Sequence, residues 1–112
     1  MEKQYIAVDS DFGKKIGFTS KYFQSLSYMF LDNDTHTIII PIIEAREIGK
    51  GSFSRVFHNL QRLKYTIKVI EPSKLFMSIL LHYGFTSAYE PRGEGFEDLI
   101  DVWSKNGNNK LG

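Results

Sequence analysis

Residues able to do chemistry are concentrated in one stretch, Arg46-Glu47-Ile48-Gly49-Lys50-Gly51-Ser52-Phe53-Ser54. It follows the apolar run Ile38-Ile39-Ile40-Pro41-Ile42-Ile43 and the pair Glu44-Ala45. Read as a strand, a glycine loop and a helix start, this stretch is suited to holding an anion. The first N–H groups of a helix have no acceptor within the helix, and the aligned peptide dipoles add partial positive charge there. Glycines let the backbone come close to a phosphate. Lys50 and Arg46 bring full positive charge, and Ser52 and Ser54 bring hydroxyl donors. Spacing excludes two other phosphate loops. A P-loop needs four residues between its glycines and Lys-Ser or Lys-Thr after them, and a dinucleotide fingerprint needs a third glycine. A single residue separates Gly49 from Gly51. The plain alternative is a tight turn with a solvated lysine.

The other reactive side chains are scattered. His36, His58 and His82 have no metal-ligand spacing, and no thiolate or carboxylate set surrounds them, so they read as surface or boundary residues. Asp98 and Asp101 stand three apart on an expected strand and so point to opposite faces. Lys14, Lys15, Lys21, Arg55, Arg62, Lys64 and Lys68, with Tyr22, Phe23 and Tyr28, offer cations and rings to a single-stranded nucleic acid. The formal net charge of +1 argues against that use and for core rings with solvated lysines. Glu44 reads as a strand-end charge or a partner for Arg46.

Those residues must be positioned by the elements around them. Gln4 to Val8 has the make-up of a short strand, and Asp9 to Ser20, with two glycines and mixed charges, that of a loop. Tyr22 to Leu31 alternates as a half-buried strand does, with Tyr22, Leu26, Tyr28 and Phe30 on one side and Ser25 and Ser27 on the other. Asp32-Asn33-Asp34 is turn chemistry. Thr35 to Glu44 is then the second strand of a hairpin, central in the sheet because Ile38 to Ile43 is apolar on both faces. Phe53, Val56, Phe57, Leu60 and Leu63 recur at helical spacing, giving a helix from Ser52 to Leu63. Thr66 to Ile70 is a β-branched strand. Pro72 and Ser73 open a second helix, whose stripe is Leu75, Phe76, Ile79, Leu80 and Tyr83 and which Gly84 stops. Thr86 to Glu90 is a strand, Pro91-Arg92-Gly93-Glu94-Gly95 a turn, and Asp98 to Lys105 the last strand. The order β-β-β-α-β-α-β-β implies an α/β (α+β) fold. Its mixed, mostly antiparallel sheet would have six to seven strands and two main helices, with parallel crossovers in the middle.

A chain of 112 residues supports one domain, spanning 1–112, with a polar tail at 106–112. At 42% hydrophobic and 14% aromatic it can build a core, and without cysteine it has neither disulfides nor thiolate metal sites. No apolar run approaches the length of a membrane span, and the first residues lack the layout of a signal peptide. A cytoplasmic protein is expected, the host cytoplasm if the chain is phage-encoded.

On these residues the chain resembles the GNAT superfamily of acyl-coenzyme A-dependent N-acetyltransferases, particularly small GNAT-like proteins of phage genomes. In that family a central strand ends in a pyrophosphate loop, Arg/Gln-x-x-Gly-x-Gly/Ala, which Arg46 to Gly51 matches literally. A helix, a strand and a second helix ending in Gly-Phe follow, and Gly84-Phe85 stands there, with Val102-Trp103 in the closing strand. The resemblance covers Thr35 to about Lys105. A second register, shifted by two, sets Gly49-Lys50-Gly51 at the start of the family's Gly-x-Gly-x-Gly. It places Val56 and Phe57 on the apolar helix face and puts Phe53 at the last glycine. The literal register instead puts Arg55 on that face.

The resemblance implies acetyl-coenzyme A or another acyl-coenzyme A, and an amine or protein acceptor. It would have the amides of Ile43 to Ala45 hold the pantetheine arm. Arg46, Gly49, Lys50, Gly51, Ser52, Phe53 and Ser54 would hold the pyrophosphate, Ser73 would reach the cofactor, and Glu44 would be the general base. No membrane partner is expected, nucleic acid is disfavoured, and a homodimer is open. The chain departs from the family at three places. Leu80 stands where a Tyr often protonates the leaving thiolate, and Phe76 where a small residue is usual. The first two helices are reduced to Asp9–Ser20. A binding or structural protein that keeps the fold without catalysis, phage-encoded and acting on a host protein or in a virion, is the alternative expectation.

Overall fold

The structure is a computed structural model that describes residues 3–47, 49–91 and 99–107. Within these residues the order is β1 (Lys3–Ala7), α1 (Asp11–Ile16), β2 (Tyr28–Asp32), β3 (Thr37–Ile42), α2 (Ser52–Arg62), β4 (Thr66–Ile70), α3 (Lys74–His82), β5 (Thr86–Pro91) and β6 (Leu99–Lys105). The six strands form one mixed sheet in the order β1-β2-β3-β4-β6-β5. Only β3 and β4 are parallel; every other neighbouring pair is antiparallel. The α/β class and the mostly antiparallel sheet expected from the sequence are therefore present.

The steps from β3 through α2 to β4 and from β4 through α3 to β5 move the same way across the sheet. Right-handed crossovers then put both helices on one face. The rings of Phe53 (α2) and Phe76 (α3) meet there at 4.8 Å between centroids. Ile38 and Ile40 of β3, Ile67 and Val69 of β4, and Met29 and Leu31 of β2 point into this layer with Val56, Leu60 and Leu80. The other face carries Tyr5, Tyr28 and Phe30, whose rings stack and edge against one another across β1 and β2.

Two segments differ from the sequence reading. Residues 9–20 hold a short helix, not a loop. Ser10 caps α1 by accepting from the Gly13 amide, and Gly17 ends it in the left-handed conformation that glycine adopts without a Cβ penalty. Six residues are too few to show a helical period. Residues 22–27 are not strand. Phe23 forms a single bridge to Ala45, the Ser27 amide donates to the Gln24 carbonyl, and β2 begins only at Tyr28. The buried side is thereby inverted: Phe23, Ser27, Met29 and Leu31 are buried and Leu26 is exposed. The Asp32–Asp34 turn stands, with the Asp34 amide donating to Asp32 Oδ1.

At the other end, Asn106 accepts from Gln61 Nε2 and the Gly107 amide donates to Thr66 Oγ1, so the start of the expected tail is tied to the sheet. The Arg92–Gly95 part of the expected turn, Asp98, and the tail beyond Gly107 lie outside the described residues.

Candidate functional site

Pro41 explains the main opening. The parallel ladder runs from Thr37↔Thr66 to Ile40↔Val69 and stops one residue before Pro41, which has no N–H to continue it. On the β2 side the register slips between Tyr28↔Ile42 and Phe30↔Ile39, a bulge that also takes up Pro41. Beyond this point β3 leans toward β2 and parts from β4. A cleft of about 630 Å³ fills the gap at the carboxyl ends of the two parallel strands. Open α/β sheets bind ligands at such a position.

Backbone polarity in the cleft follows from hydrogen bonding on its other side. The Gln24 amide donates to the Glu44 carbonyl and the Arg46 amide to the Tyr22 carbonyl, both at 2.8 Å. The Glu44 amide donates to the buried Ser27 Oγ at 2.9 Å. Residues 44 and 46 thus face the 22–27 segment. Alternation along extended backbone turns the groups of Ile43 and Ala45 toward the cleft, which both residues line. Of the three amides expected to hold a ligand arm, that of Glu44 is taken by Ser27. The Glu44 side chain is exposed on the cleft wall, with Glu71 on the β4 side.

A second, smaller cleft of about 290 Å³ lies at the start of α2, lined by Gly49, Gly51, Ser52 and Phe53 and, from α3, by Ser78, Ile79, His82 and Tyr83. Gly49 and Gly51 have φ of +84° and +80°, and a Cβ at either position would meet no atom within 4 Å. Steric need does not explain these glycines; their left-handed backbone does. Gly51 is the N-cap of α2 and supplies no capping side chain, and the first turn carries no acidic residue. The two clefts adjoin, with Phe53 and Ile79 lining both.

The remaining predicted residues are placed as follows. Arg46 lines the large cleft, but its Nε donates to the Ser20 carbonyl at 2.6 Å and its Nη1 reaches Gln24 Oε1 at 3.4 Å. Ser20 is held from its other side as well, its amide donating to Asp9 Oδ1. Hydrogen bonds from the Ser20 hydroxyl and amide, helped by the charge of Lys14, hold the Asp9 carboxyl below its ordinary range. Lys50 and Ser54 are exposed and line neither cleft. Ser73 lines the large cleft and also caps α3, its Oγ accepting from the Phe76 amide at 3.2 Å. Leu80 is fully buried. Arg55 lies outside the buried stripe of α2, its guanidinium 4.5 Å over the Tyr22 ring, while Val56 and Phe57 are buried.

His36 stacks on Tyr65, and its Nε2 donates to the Leu63 carbonyl. Among the described residues no group of three or more His, Asp or Glu is placed to hold a metal ion, and no helix is long and apolar enough to cross a membrane.

Sequence reasoning missed Ser27, which looked like the polar side of a strand. It read His82 as a surface or boundary residue, and His82 is exposed; that it lines the smaller cleft with Ser78 was not foreseen. A scan against protein-family models, a search of curated proteins and a search of solved structures each return no match.

Proposed function

We propose that the chain binds an acyl-coenzyme A across the two clefts and transfers its acyl group to an amine. The observation that carries this reading is the junction at Phe53 and Ile79. A glycine nest at a helix start opens directly into a cleft between parted parallel strands, as an extended thioester with a diphosphate in its middle requires. The open space at Gly49 and Gly51 fits a phosphate at van der Waals distance from the backbone. The burial of Val56 and Phe57, with Arg55 outside, agrees with the register in which the family's glycine pattern begins at Gly49.

Acyl-coenzyme A brings an activated thioester; the chain's residues supply position and charge. The inward-facing backbone of Ile43 and Ala45 aligns the arm and polarises the thioester carbonyl. Glu44, at the cleft wall, takes the proton that the attacking amine loses. Leu80, sealed in the core, has no proton to give a leaving thiolate.

That same Leu80 favours a second reading, a protein that binds through this fold without catalysis. Two measurements separate them. Calorimetric titration with acetyl-coenzyme A should show binding to the natural chain that is lost in Gly51→Glu, a variant that sets a carboxylate in the nest. Thiol release with a panel of primary amines should then depend on Glu44. Heat of binding without thiol release, or no heat in either protein, favours the second reading over the first.

A further inference from the structure

We infer that β5 is the docking edge for a second copy of this chain, the two copies joining their β5 strands in an antiparallel ladder centred on Ala88. The inference stands apart from the acyl-transfer reading. β5 is the last strand in the sheet order, and among the described residues no strand pairs on its outer side. From Thr86 to Glu90 no side chain is buried, although every other strand of the sheet buries at least one. A strand that buries nothing gains little from its own fold, and its unpaired N–H and C=O groups are a template for another chain. The usual guards are missing from its first four residues. Thr86-Ser87-Ala88-Tyr89 carries no charge, and the register with β6 runs from Thr86↔Ser104 to Pro91↔Leu99 without a bulge. β1, at the opposite edge, buries Ile6 and carries Lys3.

Hydrogen bonding fixes which groups are free. The Glu71 amide donates to the Asp101 carbonyl, so Asp101 turns its backbone groups toward β4, and its neighbours Ile100 and Val102 turn theirs toward β5. Glu90 and Ala88, their partners, therefore face inward, and Ser87 and Tyr89 present N–H and C=O at the free edge. A two-fold axis through Ala88 sets Ser87 of each copy opposite Tyr89 of the other, and each such pair exchanges both its bonds. Centring on Ser87 would need the Phe85 amide, which already donates to the Leu80 carbonyl. Centring on Tyr89 would need an N–H from Pro91, which has none. The Ala88 register also puts the smallest side chain of the strand on the axis, where the copies come closest. It sets Glu90 against Thr86, so no like charges are opposed, and the Glu90 carboxylate is held by Lys68 at 3.2 Å.

Apolar surface lines up with this ladder. Ser87 and Tyr89 pair with Trp103 and Asp101 and so lie on the helix-bearing face. Ser78, Ile79 and His82 take the side of α3 toward α2, which leaves Met77 and Leu81, four residues apart, on the side toward β5. Leu81 is 62% exposed and Tyr89 73%. Tyr89 of one copy crosses the small Ser87 of the other toward that copy's Leu81, so each ring gains an apolar neighbour. The strip is about 20 Å long, short of the roughly 800 Å² per partner of a standard interface, so the dimer should dissociate in the micromolar range. β5 and Leu81 line neither cleft, so pairing leaves both open.

Sedimentation from about 5 μM to about 500 μM should show monomer giving way to dimer in the natural chain and in Gln4→Lys, a change at the other edge. Tyr89→Lys, which installs an edge guard, should weaken dimerisation by about tenfold or more. Its melting temperature at the lowest concentration should match the natural chain's, since the side chain is exposed. The chain has no cysteine, so Ala88→Cys provides a single thiol. On the axis the two Cα atoms would stand about 4.5 Å apart, within disulfide range. Oxidised glutathione should link Ala88→Cys into a covalent dimer and leave Thr86→Cys unlinked. A natural chain that stays monomeric throughout, a dimer that survives Tyr89→Lys, or equal linking of the two cysteine variants would overturn the proposal. So would a monomer whose β5 amides gain hydrogen-exchange protection only when an extended peptide is added, which would make the peptide the occupant.

Discussion

Replacing Ser27 with alanine tests whether the cleft is held open by one buried hydroxyl. Ser27 is 1% exposed; its Oγ accepts from the Glu44 amide at 2.9 Å and lies 3.5 Å from the Glu44 carbonyl. Alanine keeps the packing of Cβ and deletes both contacts. The hydrogen bond itself is worth about 1 kcal/mol net, and an amide left without a partner raises the cost to about 1–3 kcal/mol. For a domain of this size about 2 kcal/mol corresponds to a fall in Tm of roughly 8 °C. The effect should also reach the site, because Glu44 lies between the two residues whose backbone faces the cleft. Binding of an acyl-coenzyme A should weaken with stability, whereas Ser54→Ala, at an exposed position lining neither cleft, should stay within about 0.5 kcal/mol. Thermal and urea unfolding of the two variants side by side settles it. A Ser27→Ala melt that overlays the natural protein's would show that the hydroxyl holds nothing.

Three further outcomes are expected. Asp9 is held below its ordinary value by Ser20, so its contribution to stability is present above the unfolded value of 3.8 and is lost as pH falls through the lower folded value. The stability gap between the natural chain and Asp9→Asn should therefore close between pH 6 and pH 2.5, and a gap equal at both pH values would refute this. Leu80→Tyr places a larger polar ring in a sealed position, and should cost about 1–3 kcal/mol in unfolding experiments without raising thiol release. Gly107→Ala drives a Cβ into the Lys64 carbonyl oxygen, so the bond from Gly107 to Thr66 must give way. A lower urea midpoint should report that, and an unchanged midpoint would show that the chain end is not anchored there.

Long periodic segments were legible from the sequence alone. Of the expected α2 stripe, Phe53, Val56, Phe57 and Leu60 are buried, while Leu63 is exposed just past the helix end; the Ser73 cap and Gly84 stop around α3 and the Asp32–Asp34 turn follow from local rules and are found in place. The parallel β3–β4 neighbours follow from the helix between them. Segments ruled by tertiary partners were not legible. Phe23 is buried against Phe18 and Phe53, which no alternation rule foresees, and this inverts the face assigned to Tyr22–Leu31. Six-residue α1 depends on its caps, a signal carried by Ser10 and Gly17 that mixed charges obscured. At the site, the glycine loop was visible because its chemistry is contiguous. The engagement of Arg46 with Ser20, and of Ser27 with Glu44, joins residues 26 and 17 apart in the chain, which only the fold brings together.

The short parallel ladder has a mechanical meaning. Lys3 to Ile42 holds one group of strands and Thr66 to Lys105 another, each joined internally by antiparallel pairing. Their backbones are sutured only between Thr37–Ile40 and Thr66–Val69. The same suture is the place where a pulled or overheated molecule should come apart into two halves, each still wearing its own hairpins.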